Sequence, residues 1–98
     1  MIQIETTNNH EIWCRISESS QLNSALISEI NTEVTPMLPG FERLYINLKA
    51  ISKIESGAIY ALRIMMSDFM SKGCSVRFVS VSEELSEIFE NLSLSSDG

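Results

Sequence analysis

The spacing of the apolar residues changes several times along this chain, and these changes predict which segments form strands and which form helices. Apolar residues recur at every second position in 2–4 and again in 12–16, with the polar segment ETTNNH between them. This alternation is typical of strands, so the two segments predict an opening β-hairpin. The segment RLYINLKAI at 43–51 is apolar on nearly both faces, which predicts a central strand covered on both sides or nearly so. The segment SVRFVSV predicts another strand.

Three other segments carry apolar residues at helical spacing. The first, at 22–34, has Ser19 or Ser20 available to cap its N-terminus, and the segment TPMLPGF ends it. The second runs from about 57 to 72, and the following Gly73 suits a helix C-terminus. The third, SEELSEIFENL, begins with a capping serine. The apolar positions are Leu22, Ala25, Leu26, Ile30 and Val34 in the first helix, Ala58, Ile59, Ala61, Leu62, Met65, Met66, Phe69 and Met70 in the second, and Leu85, Ile88, Phe89 and Leu92 in the third.

The resulting order, β-β-α-β-α-β-α, predicts an α/β fold with a mixed central sheet of about four strands and about three helices. Helices that alternate with strands join parallel neighbours, whereas the opening hairpin is antiparallel. A chain of 98 residues suits a single domain. We expect that domain to span 1–94, with 95–98 as a frayed C-terminal tail.

The charge of the chain excludes several classes of partner. Its 13 acidic residues outnumber its 7 basic ones, which leaves a net charge of -6, and the basic residues are scattered. Nucleic-acid binding needs lysines and arginines gathered on one surface, and an anionic membrane surface would repel this chain, so we expect neither partner. No segment approaches the roughly 18 consecutive apolar residues of a membrane span, and no export signal begins the chain. We therefore expect no membrane insertion and a cytoplasmic location.

Candidates for catalysis or metal binding are few. His10 lies in the hairpin loop without a second histidine, cysteine or carboxylate cluster at ligand spacing, which predicts a surface histidine. Cys14 and Cys74 lie far apart and outside any C-x-x-C pair, so we expect reduced thiols in the core. Trp13 is either an exposed interface anchor or partly buried under the first helix. The methionine stripe of the second helix is interpreted as core packing, and it comprises Met65, Met66 and Met70. These patterns predict no metal site and no enzyme.

The segment SKIESGAIYALRIMM places a short polar turn directly before an apolar helix. The first N–H groups of a helix lack partners within the helix, so a serine there can cap them. A phosphate is also favoured at the positive end of the helix dipole. Ser56 is therefore either a helix cap or a site of phosphorylation.

The order of elements and two segments, RLYINLKAISKIESGAIYAL and KGCSVRFVSVSEELSEIFENLSL, resemble the STAS domain of sulfate transporters and anti-sigma factor antagonists. The resemblance is strongest over 42–94. In that family the central strand usually carries an aspartate, and an Asp-Ser-Ser-Gly or Asp-Ser-Thr-Gly turn later starts a helix. The second hydroxyl residue of that turn is phosphorylated by a partner kinase in the antagonists.

The resemblance assigns positions in this chain to the family pattern. Asn47 falls on the strand aspartate, Ser56 on the phosphorylated hydroxyl and Gly57 on the glycine. Glu55 falls on the first hydroxyl position and Ile54 on the aspartate of the turn. If the turn is one residue shorter, Glu55 itself stands in for that aspartate. Both acidic landmarks therefore differ from the family pattern.

The implied function is that of an anti-sigma factor antagonist, which binds an anti-sigma factor kinase and so releases a sigma factor. A separate phosphatase would remove the phosphate from Ser56, and the module would need no cofactor of its own. The expected partner surface runs from Lys53 through Ile54, Glu55 and Ser56 to Gly57. It continues to Tyr60 in the following helix and to the strand end near Asn47.

Two alternatives keep the fold and change the function. Some STAS domains dock on the ATPase or permease of a membrane transporter, and the altered acidic positions suit such a role without switching. A sensor could instead use the same turn as an anion site for a small molecule or nucleotide. A homodimer is a further expectation for the assembly.

Overall fold

The computed structural model of this protein describes residues 1–91, so Leu92 and the expected tail at 95–98 lie outside the described residues. Within them the predicted order of strands and helices is confirmed, with two short strands and one short 3-10 helix added. The strands are β1 (Ile2–Thr6), β2 (Glu11–Ile16), β3 (Gln21–Leu22), β4 (Arg43–Asn47), β5 (Lys53–Ile54) and β6 (Ser75–Val79). The helices are α1 (Ser24–Val34), the 3-10 turn Thr35–Met37, α2 (Ser56–Ser71) and α3 (Glu83–Asn91).

The main sheet is mixed, as the sequence predicts. Its order is β1-β2-β4-β6, with β1 antiparallel to β2 and the other neighbours parallel. The short strands β3 and β5 form a separate parallel pair. Both crossovers, from β2 to β4 and from β4 to β6, step in the same direction across the sheet. Because such crossovers are right-handed, α1 and α2 lie on the same face.

The core lies between that face and the helices. Leu44 and Ile46 of β4 are buried there, and the Phe78 ring of β6 packs against Phe89 of α3 with centroids 4.9 Å apart. Phe69 of α2 is also fully buried. We call this side of the sheet the inner face, and the opposite side the outer face.

The prediction that the central strand is covered on both sides or nearly so holds fully for the inner face only. Tyr45 and Asn47 of β4 point to the outer face and keep intermediate exposure, because no described helix packs there. A run of apolar or amphipathic residues hides this asymmetry in the sequence. Tyrosine has an apolar ring and a polar hydroxyl, so it suits a half-exposed position as well as a buried one.

The predicted caps of α1 are also wrong. The N-cap is Asn23, whose side-chain Oδ1 accepts a hydrogen bond from the Leu26 N–H at 2.9 Å. Ser19 instead bonds the backbone of Gln21, and the Ser20 carbonyl accepts from the turn before α2. Leu22 belongs to β3, so the helix begins later than its apolar spacing indicated.

The ends of the other helices agree better with the sequence. Gly73 follows α2 with a φ of 84°, a left-handed conformation that glycine adopts without steric cost. Ser82 caps α3 by accepting from the Leu85 N–H at 3.3 Å.

In α2, Met65 is buried and Met66 packs at the edge of the core, whereas Met70 is 64% exposed. The interpretation of Met70 as core packing is therefore wrong.

Candidate functional site

The segments that leave β2, β4 and β6 lead into α1, α2 and α3, the first two through the short strands β3 and β5, so all three helices begin beyond the carboxyl edge of the parallel strands. Backbone N–H groups and the positive ends of helix dipoles therefore gather at this edge. The loops that lead into the helices are rich in serine. They include Ser17, Ser19, Ser20, Ser52, Ser80 and Ser82. Such an edge favours anionic groups.

Backbone hydrogen bonds fix the start of α2 against the start of α1. The N–H groups of Ser52 and Lys53 donate to the Ser20 carbonyl at 2.8 and 3.2 Å, and Glu55 N–H donates to the Leu22 carbonyl at 2.9 Å. These bonds belong to the β3 and β5 pair. The side chain of Ile54 packs against the core beneath. The turn before α2 is thus fixed both by backbone hydrogen bonds and by apolar packing.

Ser56 is the first residue of α2, and its side chain is exposed. The N-cap position falls on Glu55, whose backbone is extended (φ -72°, ψ 141°) and whose side chain makes no capping hydrogen bond. The interpretation of Ser56 as the cap is therefore wrong. Its hydroxyl lies in solvent beside N–H groups that the helix leaves without intrahelical partners.

Gly57 is also exposed, and its φ is not in the left-handed region. A Cβ built on it would lie 3.6 Å from Oε1 of Glu55, an ordinary van der Waals distance. The fold itself therefore does not require glycine at this position. The same measurement places the Glu55 carboxylate beside the first turn of α2, where its negative charge suits the helix dipole.

Tyr60 continues the exposed surface along α2, since it lies one turn after Ser56 and is 72% exposed. Ile64 lies one further turn along and is 52% exposed. Each step along the helix is about 6 Å, so a hydroxyl, an aromatic ring and an aliphatic side chain follow one another in a row. We call Ser56, Tyr60 and Ile64 the α2 ridge.

Two members of the α2 ridge, Ser56 and Tyr60, are among the residues predicted from the sequence, and Ile64 is not. The spacing of four residues from Ser56 to Tyr60 to Ile64 could have indicated it, because such residues share a helix face. A shallow groove runs between Ile64 and α1, where Ser24, Ser28 and Asn31 line the opposite side. Exposed positions of α1 therefore border the ridge.

Asn47 lies apart from this turn in its local contacts. Its side-chain Oδ1 accepts a hydrogen bond from the Lys49 N–H at 2.8 Å, which closes the turn that follows β4. Its side chain also lines a cleft on the outer face with Gln3, Trp13 and Arg15. Lys53, by contrast, is exposed on the loop that precedes Ser56.

The outer face holds a stacked pair of aromatic rings. The rings of Trp13 and Tyr45 stack with centroids 4.3 Å apart and planes at 16°. Trp13 is 39% exposed and faces away from α1, so the alternative of burial under the first helix is wrong. The Tyr45 hydroxyl lies 3.5 Å from Oε2 of Glu11, which also pairs with Arg43 at 3.5 Å.

The remaining candidates carry no site in the described residues. His10 is exposed in the hairpin loop with a φ of 60°. Over residues 1–91 no group of three or more metal-ligating side chains comes together, and no helix there is long and apolar enough to cross a membrane. Cys14 and Cys74 are free and buried, as predicted. Burial raises the pKa of the Cys14 thiol to about 12, with a further contribution from the negative charge of Glu29.

Comparisons with known structures show the same fold. One is the anti-sigma factor antagonist SpoIIAA of Bacillus. Its unphosphorylated form matches with a TM-score of 0.75 and 11% identity, and the match covers all of this chain and 88% of that chain. The phosphorylated form gives a TM-score of 0.72 and 10% identity, with all of this chain and 92% of that chain covered.

A second kind of protein shares the fold. Part of the murine Solute Carrier 26 family member A9 anion transporter matches 85% of this chain with a TM-score of 0.68 and 15% identity. The match covers 14% of that transporter. No curated protein sequence matches this chain. Among protein families, the STAS domain matches residues 2–97, and this chain belongs to that family.

Proposed function

We propose that this protein is a protein-interaction module that acts as an anti-sigma factor antagonist and is switched by phosphorylation of Ser56. Its partner is an anti-sigma factor with serine kinase activity, and a separate phosphatase restores the unmodified form. The observation that carries the proposal is the exposed hydroxyl of Ser56 at the first position of α2, in line with the exposed side chains of Tyr60 and Ile64.

The α2 ridge has the composition of a docking surface. A tyrosine and an isoleucine that are more than half exposed would both lose contact with water in a complex. Aromatic anchors of this kind contribute strongly to protein interfaces. The rigid placement of the α2 start by the β3 and β5 pair favours binding, because little order has to be gained on association.

Phosphorylation would change this surface without refolding the domain. A phosphate adds between about one and two negative charges and three strong acceptor oxygens. The N-terminus of α2 would stabilise that charge, so the domain tolerates it. A partner packed on Ser56 would meet a larger and charged group. A loss of about 3 kcal/mol in such a complex lowers affinity by roughly a hundredfold.

The first experiment is intact mass measurement of the protein from its own cells, with peptide mapping across 53–63. We expect one phosphate on Ser56 under some growth or stress condition, and none in the Ser56→Ala variant. Ser67 lies in the same helix and is exposed, so Ser67→Ala is the matched control and should keep the phosphate. An unmodified Ser56 under all conditions contradicts the switch.

Binding to the kinase encoded nearest this protein then tests the partner. Unmodified protein and the Ser56→Ala variant should bind, whereas the phosphorylated protein should bind about a hundredfold more weakly. Tyr60→Ala should weaken binding without affecting the fold, because its side chain is 72% exposed. Equal binding by the phosphorylated and unmodified proteins contradicts the proposal.

A second candidate is constitutive docking on the ATPase or permease of a membrane transporter. Glu55 favours it, because a permanent carboxylate already lies beside the first turn of α2. In that case Ser56 stays unmodified and the α2 ridge still forms the interface. Copurification of the untreated protein with the transporter subunit, lost in Tyr60→Ala, distinguishes this candidate from the kinase.

A further inference from the structure

The outer face of the main sheet has an ordered pattern of charges. Strand register places Glu5, Trp13, Tyr45 and Arg77 side by side in one row across the four strands. The row on one side of it consists of Gln3, Arg15, Asn47 and Val79. The row on its other side consists of Glu11, Arg43 and Ser75. The central row is thus acidic at one edge, aromatic in the middle and basic at the other edge.

The outer face carries more basic than acidic residues. It carries three of the seven basic residues but only two of the 13 acidic ones. The rest of the molecule is therefore strongly negative, and two copies that approach through other surfaces repel each other. Contact between two outer faces causes less repulsion between like charges than contact through the rest of the surface.

We propose that this face binds the outer face of a second copy of the same chain. Consider a two-fold axis that runs along the strands between β2 and β4. The sheets then face each other with their strand order reversed, as in an aligned packing of two sheets. In each row, a residue of β1 then faces the β6 residue of the second copy, and a residue of β2 faces its β4 residue.

This symmetry pairs opposite charges. Glu5 faces the partner's Arg77, and Glu11 faces the partner's Arg43 in the adjacent row. Arg15 faces the carboxamide of the partner's Asn47. Trp13 faces the partner's Tyr45, so the two stacks form a four-ring cluster at the axis. Each pairing occurs twice, as a two-fold interface requires.

The size of the face determines the expected affinity. Four strands about 4.8 Å apart and five residues at about 3.3 Å each give a face of roughly 19 by 17 Å. That is smaller than the roughly 800 Å² per partner of a standard stable interface. We therefore expect a dimer with a dissociation constant in the micromolar range or weaker. Because α2 lies on the inner face, the α2 ridge of both copies stays accessible in this dimer.

Charge reversal tests the pairing of Glu5 with the partner's Arg77. Glu5→Arg and Arg77→Glu each place like charges opposite each other twice, so each variant alone should dimerise at least about tenfold more weakly than the unaltered chain. In an equimolar mixture the facing charges are again opposite. Sedimentation should then show recovery of a species of twice the 11.0 kDa monomer mass.

Matched controls reverse exposed charges away from the face. Glu33→Arg on α1 and Lys49→Glu after β4 should dimerise like the unaltered chain, alone and mixed. A chain that stays monomeric up to about 1 mM overturns the proposal, as does association that neither reversal weakens. Failure of the mixture to recover also overturns it. Binding of an acidic polypeptide to a monomeric chain through these arginines would identify another occupant and overturn it too.

The unaltered chain offers an independent readout, because Trp13 is its one tryptophan and lies at the proposed axis. Transfer of its ring from water into the interface should shift fluorescence emission to shorter wavelength as concentration rises. The shift should follow the same concentration dependence as the sedimented mass. A dimer with unchanged tryptophan emission overturns the assignment to this face.

Discussion

The two faces of the main sheet are built from alternate residues of the same strands, yet they differ in almost every property. On the inner face, Ile12, Leu44 and Val76 form a row of buried aliphatic side chains under the helices. On the outer face, the adjacent residues Trp13, Tyr45 and Arg77 remain wholly or partly in contact with water. Stability therefore depends mainly on the inner face, whereas the outer face keeps its contact with water.

The largest test of this contrast is removal of a buried aromatic ring. Phe78 is fully buried against Phe89, so Phe78→Ala leaves a cavity and should lower the free energy of unfolding by about 3–5 kcal/mol. Urea denaturation measures the change. Arg77→Ala, one residue away on the outer face, should cost less than about 1 kcal/mol. Equal losses would contradict the distinction between the faces.

Alkaline pH should weaken the inner face through Cys14. The pKa of its thiol is about 12 in the folded protein against an ordinary value of 9.0, because burial disfavours the thiolate and Glu29 adds to the effect. Above pH 9 the unfolded thiol ionises first, so stability present below that pH is lost as pH rises toward 12. Between pH 8 and pH 10 this group should lower the free energy of unfolding by about 1.4 kcal/mol.

The measurement is urea denaturation at several pH values for the unaltered chain and for Cys14→Ala. The variant is less stable at neutral pH because it loses buried volume, but its stability should fall less steeply between pH 8 and pH 10. An identical slope in both proteins would contradict the assignment to Cys14. Cys74 remains in both, and burial raises its pKa also.

On the outer face, Trp13→Ala should have a smaller effect than the loss of Phe78. It removes a stacked aromatic pair, which is worth about 0.5–1.5 kcal/mol beyond burial, but 39% of the tryptophan surface is already exposed. We expect a loss of about 1 kcal/mol by urea denaturation at low protein concentration. Trp13→Phe should retain most of the stability of the unaltered chain. A loss above about 3 kcal/mol would place Trp13 among the core residues.

The smallest expected effect separates stability from function at the start of α2. Gly57→Ala should raise the free energy of unfolding by about 0.4–1 kcal/mol, because the backbone there suits alanine and the new Cβ has room. If a partner packs closely on this turn, the same change should reduce its affinity. Thermal unfolding and a binding titration measure the two effects. Loss of stability in Gly57→Ala would show that the fold itself needs this glycine.

Much of the fold could be predicted from the sequence because its signals are local. Alternation over Ile12, Cys14 and Ile16 predicts a strand, and spacing from Ala58 to Phe69 predicts a helix that ends at Gly73. The strand pair β3 and β5 was missed, since two-residue strands leave no periodicity. The α1 cap was misplaced because several polar residues compete for it, and only backbone geometry selected Asn23.

The candidate site residues remain predictions. A polar turn that precedes an apolar helix, together with the family resemblance, predicts a role for Ser56, Gly57 and Tyr60. Ile64 was missed because an isoleucine in an apolar helix is expected in the core, and its 52% exposure depends on where α1 packs. Asn47 is predicted to border the partner surface at the end of its strand, and its side chain accepts a hydrogen bond from the Lys49 backbone and lines the cleft on the outer face.

The sequence by itself determined the order of strands and helices, the two buried thiols and the acidic character of the chain, because periodicity, burial preference and charge are properties of local residues. The tertiary structure alone decided that the helices cover one face and leave Tyr45 and Trp13 on the other. It also decided that the start of α2 is fixed against α1 by backbone hydrogen bonds. The physical reason is that the handedness of crossovers and the packing of distant segments set which side of a strand meets water.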